Sequence, residues 1–534
     1  MLQKKAALIT GIVLLAAAAV YFLFFPMYGR KTFSSQALTG GKAEKLMTRL
    51  DETGEDILTG LVFAGEELPE DIGSGTFYLP VDMDDARWET GVFSAADDGV
   101  EVYLLDNPLL DDKSEAVSSG KSYRLLAVKG DAWRLYYVIF TGLPIITLDT
   151  DEGTEIRYDE AYGTMKLYEA DSKTTGWVTE SLMSGHIRGG SSRLNPKKSY
   201  KITLYKESQT GIYTTSANKQ SLLGMREDDE WLLYAMYSES TKARDKLSMD
   251  IWNEAYADDI DEDGDGFYGW HMEYVEVFQN GEYYGIYGLM EPVDYKQLDL
   301  TKEGESAPEE YLYKQKDADV FELKGPHACD TEEAMEVLEE YLEVLYADDS
   351  VFASEISGLI DVENALDVWL YLQAVIGMDN IERNIFYPAV WEDGQYVIRF
   401  MPWDMDYTFG SVHDFDAGNR TRASEEILTM RIAWSLGDRL IELDVDGARE
   451  YVTARWKELR ETVYSDEWLS SRIDSYESSV IDSGAFARDM ERWENGGHDS
   501  DYESFKELVL DRMAFLDEYM DDPYAYLDLE EYVE

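Results

Sequence analysis

Asp379-Asn380-Ile381-Glu382-Arg383-Asn384 sets a carboxylate and a carboxamide five positions apart, and Trp403-Asp404-Met405-Asp406 adds two more carboxylates downstream. Hard oxygen donors of this kind hold Mg²⁺ against nucleotide phosphates, and a neighbouring carboxylate can orient a hydroxyl and take its proton. Those are the groups that phosphoryl transfer requires. On this reading Asp379 is the catalytic carboxylate, Asn384 and Asp404 are metal ligands, and Asp406 is an additional or alternative ligand. D-x-x-x-x-N alone is common in an acidic chain, and Trp-Asp-x-Asp also suits a buried turn. The weight therefore falls on the elements around them.

A helix is expected from Asp361, a suitable N-cap, with Ala365, Val368, Trp369, Leu372, Val375 and Ile376 on one apolar stripe and an end near Gly377. A loop follows, then the strand Ile385-Phe386-Tyr387, a turn at Glu392-Asp393-Gly394 and a second strand, Tyr396–Met401. Antiparallel pairing of the two strands brings the loop before the first beside the loop after the second. Asp379, Asn384 and Asp404 should then meet in one pocket.

Upstream, His186-Ile187-Arg188-Gly189-Gly190-Ser191-Ser192-Arg193-Leu194-Asn195-Pro196-Lys197-Lys198-Ser199-Tyr200-Lys201-Ile202 is a basic island in a very acidic chain. Small residues let a backbone approach phosphates and lysines neutralise them; the alternative is a surface turn with solvated charges. Arg188-Gly-Gly-Ser-Ser through Lys197-Lys198-Ser-Tyr-Lys-Ile resembles the signature of CotH-type spore coat and secreted kinases. Trp231-Leu-Leu-Tyr-Ala with Thr241 and Arg244, the run from Val277 to Glu291, Asp379 to Asn384, and Trp403 to Gly410 follow in that family's order, so the resemblance spans about Leu143 to Gly410. Asp245 stands where the family pattern would have Asn, and Ser238-Glu239-Ser240 replaces an Asp-containing turn.

The resemblance implies an atypical protein kinase, dependent on ATP and Mg²⁺, that phosphorylates Ser or Thr of an extracytoplasmic or coat protein. It carries Asp379 over as the catalytic aspartate and Asn384 and Asp404 as metal ligands. It sets Arg188, Ser191, Ser192 and either Lys198 or Lys201 on the ATP phosphates. Glu291 either supports the nucleotide or pairs with Arg244. A non-catalytic cell-surface binding or scaffold protein on a kinase-like fold is the alternative, and a changed reaction such as nucleotidyl transfer is a third.

The 534 residues carry 109 Asp+Glu against 47 Lys+Arg, a net charge of −62, which argues against nucleic-acid binding. Hydrophobic content of 45% with 38 Tyr and 13 Trp requires a large folded core. The apolar stretch Ala6–Met27, preceded by Lys4 and Lys5, reads as an uncleaved single-pass membrane anchor with the remainder outside. Cys329 stands alone, so no intramolecular disulfide forms. The expected fold class is α+β: an anchor over 1–31, a stalk and small β-rich appendage over 32–142, a two-lobed kinase-like domain over 143–520, and an acidic tail over 521–534. Within it Asp228–Ala257 reads as helix, Tyr274–Met290 as a hairpin around Asn280-Gly281, and the part beyond Thr331 as mainly helical. Asp259–Gly266 imitates a calcium loop but lacks Glu at the twelfth position, the five His residues show no zinc spacing, and no G-x-S-x-G or P-loop motif is present.

Overall fold

In the computed structural model the described residues are 36–38, 41–80, 88, 91–105, 116–117, 121–169, 177–206, 216–257, 269–301, 309–318, 320–325, 331–414, 419–421, 428–494, 496–529 and 531–532. The chain is a mixed α+β protein. Alternation of buried and half-buried residues sets Val178–Arg188 and Ser199–Tyr205 as neighbouring strands. They belong to a closed barrel of seven, running Ile145–Thr150, Ala161–Tyr168, Val178–Arg188, Ser199–Tyr205, Glu230–Tyr234, Glu282–Met290, Met272–Gln279. Parallel pairing of Ile145–Leu148 with Glu276–Gln279 closes the ring, and Met165, Met183, Leu204, Trp231, Val277 and Leu289 fill it.

The expected helix over Asp228–Ala257 is only half correct. Glu230–Tyr234 is a barrel strand, and the helix runs from Arg244 to Ala255. Trp231, Leu232 and Leu233 are all buried, since barrel filling and outer packing each take one face of the strand. A short apolar run of that kind has no period by which to tell strand from helix. The hairpin does form at Asn280-Gly281, with both residues at positive φ as a two-residue turn of this hand requires. A Cβ on Gly281 would sit 2.3 Å from Cδ1 of Ile72, so this turn also packs tightly against the N-terminal part.

That part is β-rich. Thr76–Pro80, Ala132–Thr141, Ser122–Lys129 and Val100–Leu104 form its main sheet, and Leu61–Phe63 anchors a smaller one. Tyr78 stacks on Tyr283 with centroids 5.5 Å apart, which joins its core to the barrel hairpin.

The other half of the molecule is built round the helix Val362–Val375, capped by Asp361, whose side chain accepts from the Asn364 amide at 3.0 Å. The expected stripe is buried, and so are Leu366, Leu370, Tyr371, Gln373 and Ala374, so the helix is enclosed on every side. Ser435–Glu442, Ala448–Arg460 and Tyr502–Asp517 pack against it. Beside it lies a sheet the sequence reading did not include in full. Tyr311–Asp317 pairs with Val320–Gly325 on one side and Ile385–Glu392 on the other, and Ile385–Glu392 also pairs with Gln395–Ile398 and Met401–Pro402. Pro523–Tyr526 docks near the chain end, where Tyr526 is buried edge-on against Trp369.

Among the described residues no helix is long and apolar enough to cross a membrane. The expected anchor over Ala6–Met27, the acidic turn over Asp259–Gly266, His327 and Cys329 lie outside the described residues, as does the side chain of His413.

Candidate functional site

The two acidic loops meet where the strands Ile385–Glu392 and Met401–Pro402 begin and end. Ile385 pairs with Pro402, and one step outward the Trp403 amide donates to the Asn384 carbonyl at 2.9 Å. Asn380, fully buried, donates its side-chain amide to the carbonyls of both Asn384 (3.1 Å) and Trp403 (2.9 Å). The bond to Trp403 ties one loop to the other. Asn384 in turn donates from Nδ2 to Oδ2 of Asp379 at 2.7 Å, which leaves its Oδ1 on the opposite side of the carboxamide. Arg383 stands 3.7 Å from Oδ1 of Asp379. Asn384 (φ 57°) and Asp404 (φ 62°) both occupy the left-handed region, which Asn and Asp tolerate better than other side chains.

The downstream loop is fixed at its far end. Phe409 donates its amide to Val375 O at 2.6 Å, Met378 donates to Tyr407 O at 3.3 Å, and Thr408 donates its hydroxyl to Met405 O at 2.7 Å. Ser248, on the helix Arg244–Ala255, lies within hydrogen-bonding distance of the Thr408 hydroxyl (3.1 Å). Asp404 is left exposed at the crest of a loop whose other residues are buried or half-buried.

From the barrel side, Arg188 at the end of Val178–Arg188 and Asp245 at the start of the helix face these carboxylates. Burial pulls the Arg188 guanidinium below its usual value, and Asp404 and Tyr234 oppose that pull. Asp245 is 2% exposed, and its Oδ2 has no hydrogen-bond partner. Burial, followed by the charges of Asp406, Asp404 and Glu239, pushes its carboxyl well above the ordinary range. Lys314 completes the set from the strand Tyr311–Asp317. Its Nζ lies 5.2 Å from the ring centroid of Phe386 and 5.9 Å from that of Trp403. Burial brings its ammonium down to about 8; Asp404 works against this, and Lys316, Arg188 and Lys324 reinforce it.

Other sequence candidates stand elsewhere or are already engaged. Ser191 and Ser192 open a short 3₁₀ turn, Ser191–Leu194. Gly189 (φ 114°) allows its tight approach, because a Cβ there would come within 2.3 Å of the Ser192 hydroxyl. Lys198 donates to the carbonyls of Arg193 (2.8 Å) and Asn195 (2.5 Å), so it braces this turn. Lys201 pairs with Glu230 at 2.5 Å on the barrel wall. Glu291 accepts from the amides of Arg226 and His271 and lies 2.9 Å from His271 Nδ1; Arg244 pairs instead with Glu239, also at 2.9 Å.

Sequence reading missed Asn380, Asp245 as a partner of the acidic loop, and Lys314. Asn380 lay inside the motif already singled out, and Asp245 was visible as a departure from the family pattern. Lys314 had no signal, being one lysine in Tyr-Leu-Tyr-Lys-Gln-Lys. A family model described as CotH kinase protein matches residues 186–523. No curated protein matches the chain.

Proposed function

The chain belongs to the CotH kinase family, and from that premise we propose that it transfers the terminal phosphoryl group of ATP to a Ser or Thr hydroxyl of a protein. The barrel and the helical half then serve as the two lobes of an atypical kinase-like fold, with the nucleotide between them. The observation that supports this most is the clamp that ties the Asp379–Asn384 loop to Trp403, the residue directly before Asp404.

The donor set suits Mg²⁺. Asn384 Oδ1 and the carboxylates of Asp404 and Asp406 are hard oxygens. That is the usual pattern for Mg²⁺, which takes one or two carboxylates and completes its shell with water and phosphate oxygens. When bound, Mg²⁺ neutralises charge on the phosphates.

Asp379, steadied by the Asn384 amide, orients the acceptor hydroxyl and accepts its proton at a carboxylate oxygen as the new O–P bond forms and the bond to the ADP oxygen breaks. Arg188 and the turn Ser191–Leu194 close the phosphate side. The apolar segment Ala6–Met27 supports a membrane-anchored protein with this domain outside the cytoplasm, and protease accessibility of intact cells tests that placement.

With γ-labelled ATP, Mg²⁺ and mixed protein acceptors, Asp379→Ala and Asp404→Ala should each lose label transfer while melting close to wild type. Transfer that survives in both variants overturns the reading. Mg·ATP should also raise the melting temperature of the wild type, because it binds the folded state alone.

A further inference from the structure

We propose that Lys314 is a specificity-determining residue of this site, recognising the terminal phosphate of a nucleoside triphosphate from the sheet that carries the Asp379 loop. The proposal rests on the phosphotransferase reading above.

Most basic side chains round the cleft are already committed. Lys197 is held by Asp489 and the Ile286 carbonyl, Lys242 by the carbonyls of Met236, Glu239 and Gly497, Lys246 by Asp250, and Arg244 by Glu239. Lys198 and Lys201 are engaged within the barrel wall. Among the described residues the Lys314 side chain makes no ion pair and no hydrogen bond; its ammonium rests on the faces of two aromatic rings. Half burial strips the ammonium of part of its hydration, and a ring face recovers only part of that loss. An anionic ligand would supply what is missing.

Its position selects the anion. Lys314 pairs in register with Phe386, two residues beyond Asn384, and its second ring partner is Trp403, directly before Asp404. It therefore stands beside the residues assigned to the metal and the transferred group. Arg188, at the end of a barrel strand, feels the same carboxylate, and Asp404 is the main opposing charge for both cations. Two cations from opposite sides of a metal-binding carboxylate fit the negative charge that a triphosphate keeps after one divalent ion is bound. A lysine acts there as a point charge on a flexible stem, able to follow a phosphate that moves during transfer.

Binding of Mg·ATP and Mg·ADP to the full chain, measured by calorimetry for wild type, Lys314→Met and Lys314→Arg, tests this. Lys314→Met should bind Mg·ATP roughly ten- to a hundredfold more weakly, the loss of one charge-assisted hydrogen bond, and Mg·ADP nearly as wild type does. Lys314→Arg should keep most of the preference for ATP. Unchanged ATP affinity in Lys314→Met, or an equal loss for ATP and ADP, overturns the proposal and leaves the phosphotransferase reading standing. A wild type that binds neither nucleotide removes that reading, and the role of Lys314 with it.

Discussion

Two clusters of buried and half-buried charge lie beside the barrel, and they are finished to different degrees. At the first, Asp489 on the helix Ala485–Arg492 accepts from Lys197 at 2.5 Å and from the Ile286 amide at 2.9 Å, and His498 Nε2 lies 3.1 Å away. Lys242 alongside donates to three carbonyls. At the second, the Lys314 side chain has only ring faces, the Arg188 guanidinium has no hydrogen bond or ion pair among the described residues, and Asp245 keeps an orphaned oxygen. The first cluster is closed within the chain and locks the barrel to the C-terminal helices. The second is open and, on the proposed function, receives the nucleotide. Where a fold leaves buried polar groups incomplete, function is the reason to look for first.

The largest effect that would sharpen this contrast belongs to the open cluster. Asp404→Asn should lower phosphoryl transfer by about a thousandfold or more with little change in unfolding free energy, measured by initial rates beside denaturant titration. A variant that loses stability and activity in parallel would erase the distinction.

The closed cluster should behave in the opposite way. Asp489→Ala strands Lys197 and Lys242 without their carboxylate and should cost about 3–5 kcal/mol of stability, while the folded fraction keeps its affinity for Mg·ATP. Burial alone would raise the Asp489 carboxyl, but Lys197, His498 and Lys242 hold it well below the usual carboxylate range. Its stabilisation is therefore complete above the unfolded value of about 4 and is lost as pH falls below it. Acid titration of the unfolding midpoint should lose that component of its slope in Asp489→Asn.

Asn380→Ala lies between the two. It removes both side-chain bonds that brace the acidic loops, should cost about 2 kcal/mol, and should speed hydrogen exchange at the Trp403 amide. Normal exchange there would mean that the strand pairing alone holds the loops together.

The smallest effect concerns Lys314. Its ammonium lies at about 8 in the folded protein against an ordinary 10.5, so between those values the unfolded chain binds a proton that the folded chain does not. Wild-type stability therefore rises with pH across that window. Lys314→Met should be more stable than wild type by about 1 kcal/mol below pH 8, and the advantage should fade toward pH 10.5. A destabilised variant at neutral pH would make Lys314 a structural residue and join the two clusters into one kind.

Parts of this were legible in sequence because they depend on local pattern. The cap at Asp361, the apolar helix after it and the Asn280-Gly281 turn follow from residue type and period. The strand Glu230–Tyr234 was not legible, because its neighbours Tyr200–Thr203 and Gly288–Met290 lie far away in the chain. Nor was Lys314, since the hairpin that carries it acquires meaning only beside Phe386.

The amino-acid sequence by itself determined that a carboxylate-bearing loop precedes one strand of a hairpin and another follows its partner, and antiparallel pairing makes their meeting obligatory. Only the tertiary structure decided which cations face them. Lys197, Lys198 and Lys201 lie within five positions, yet one is buried against Asp489, one braces its own turn and one pairs on the barrel wall. Side chains alternate between the faces of a strand, and the carboxylates that compete for each lysine come from distant segments that only folding brings near.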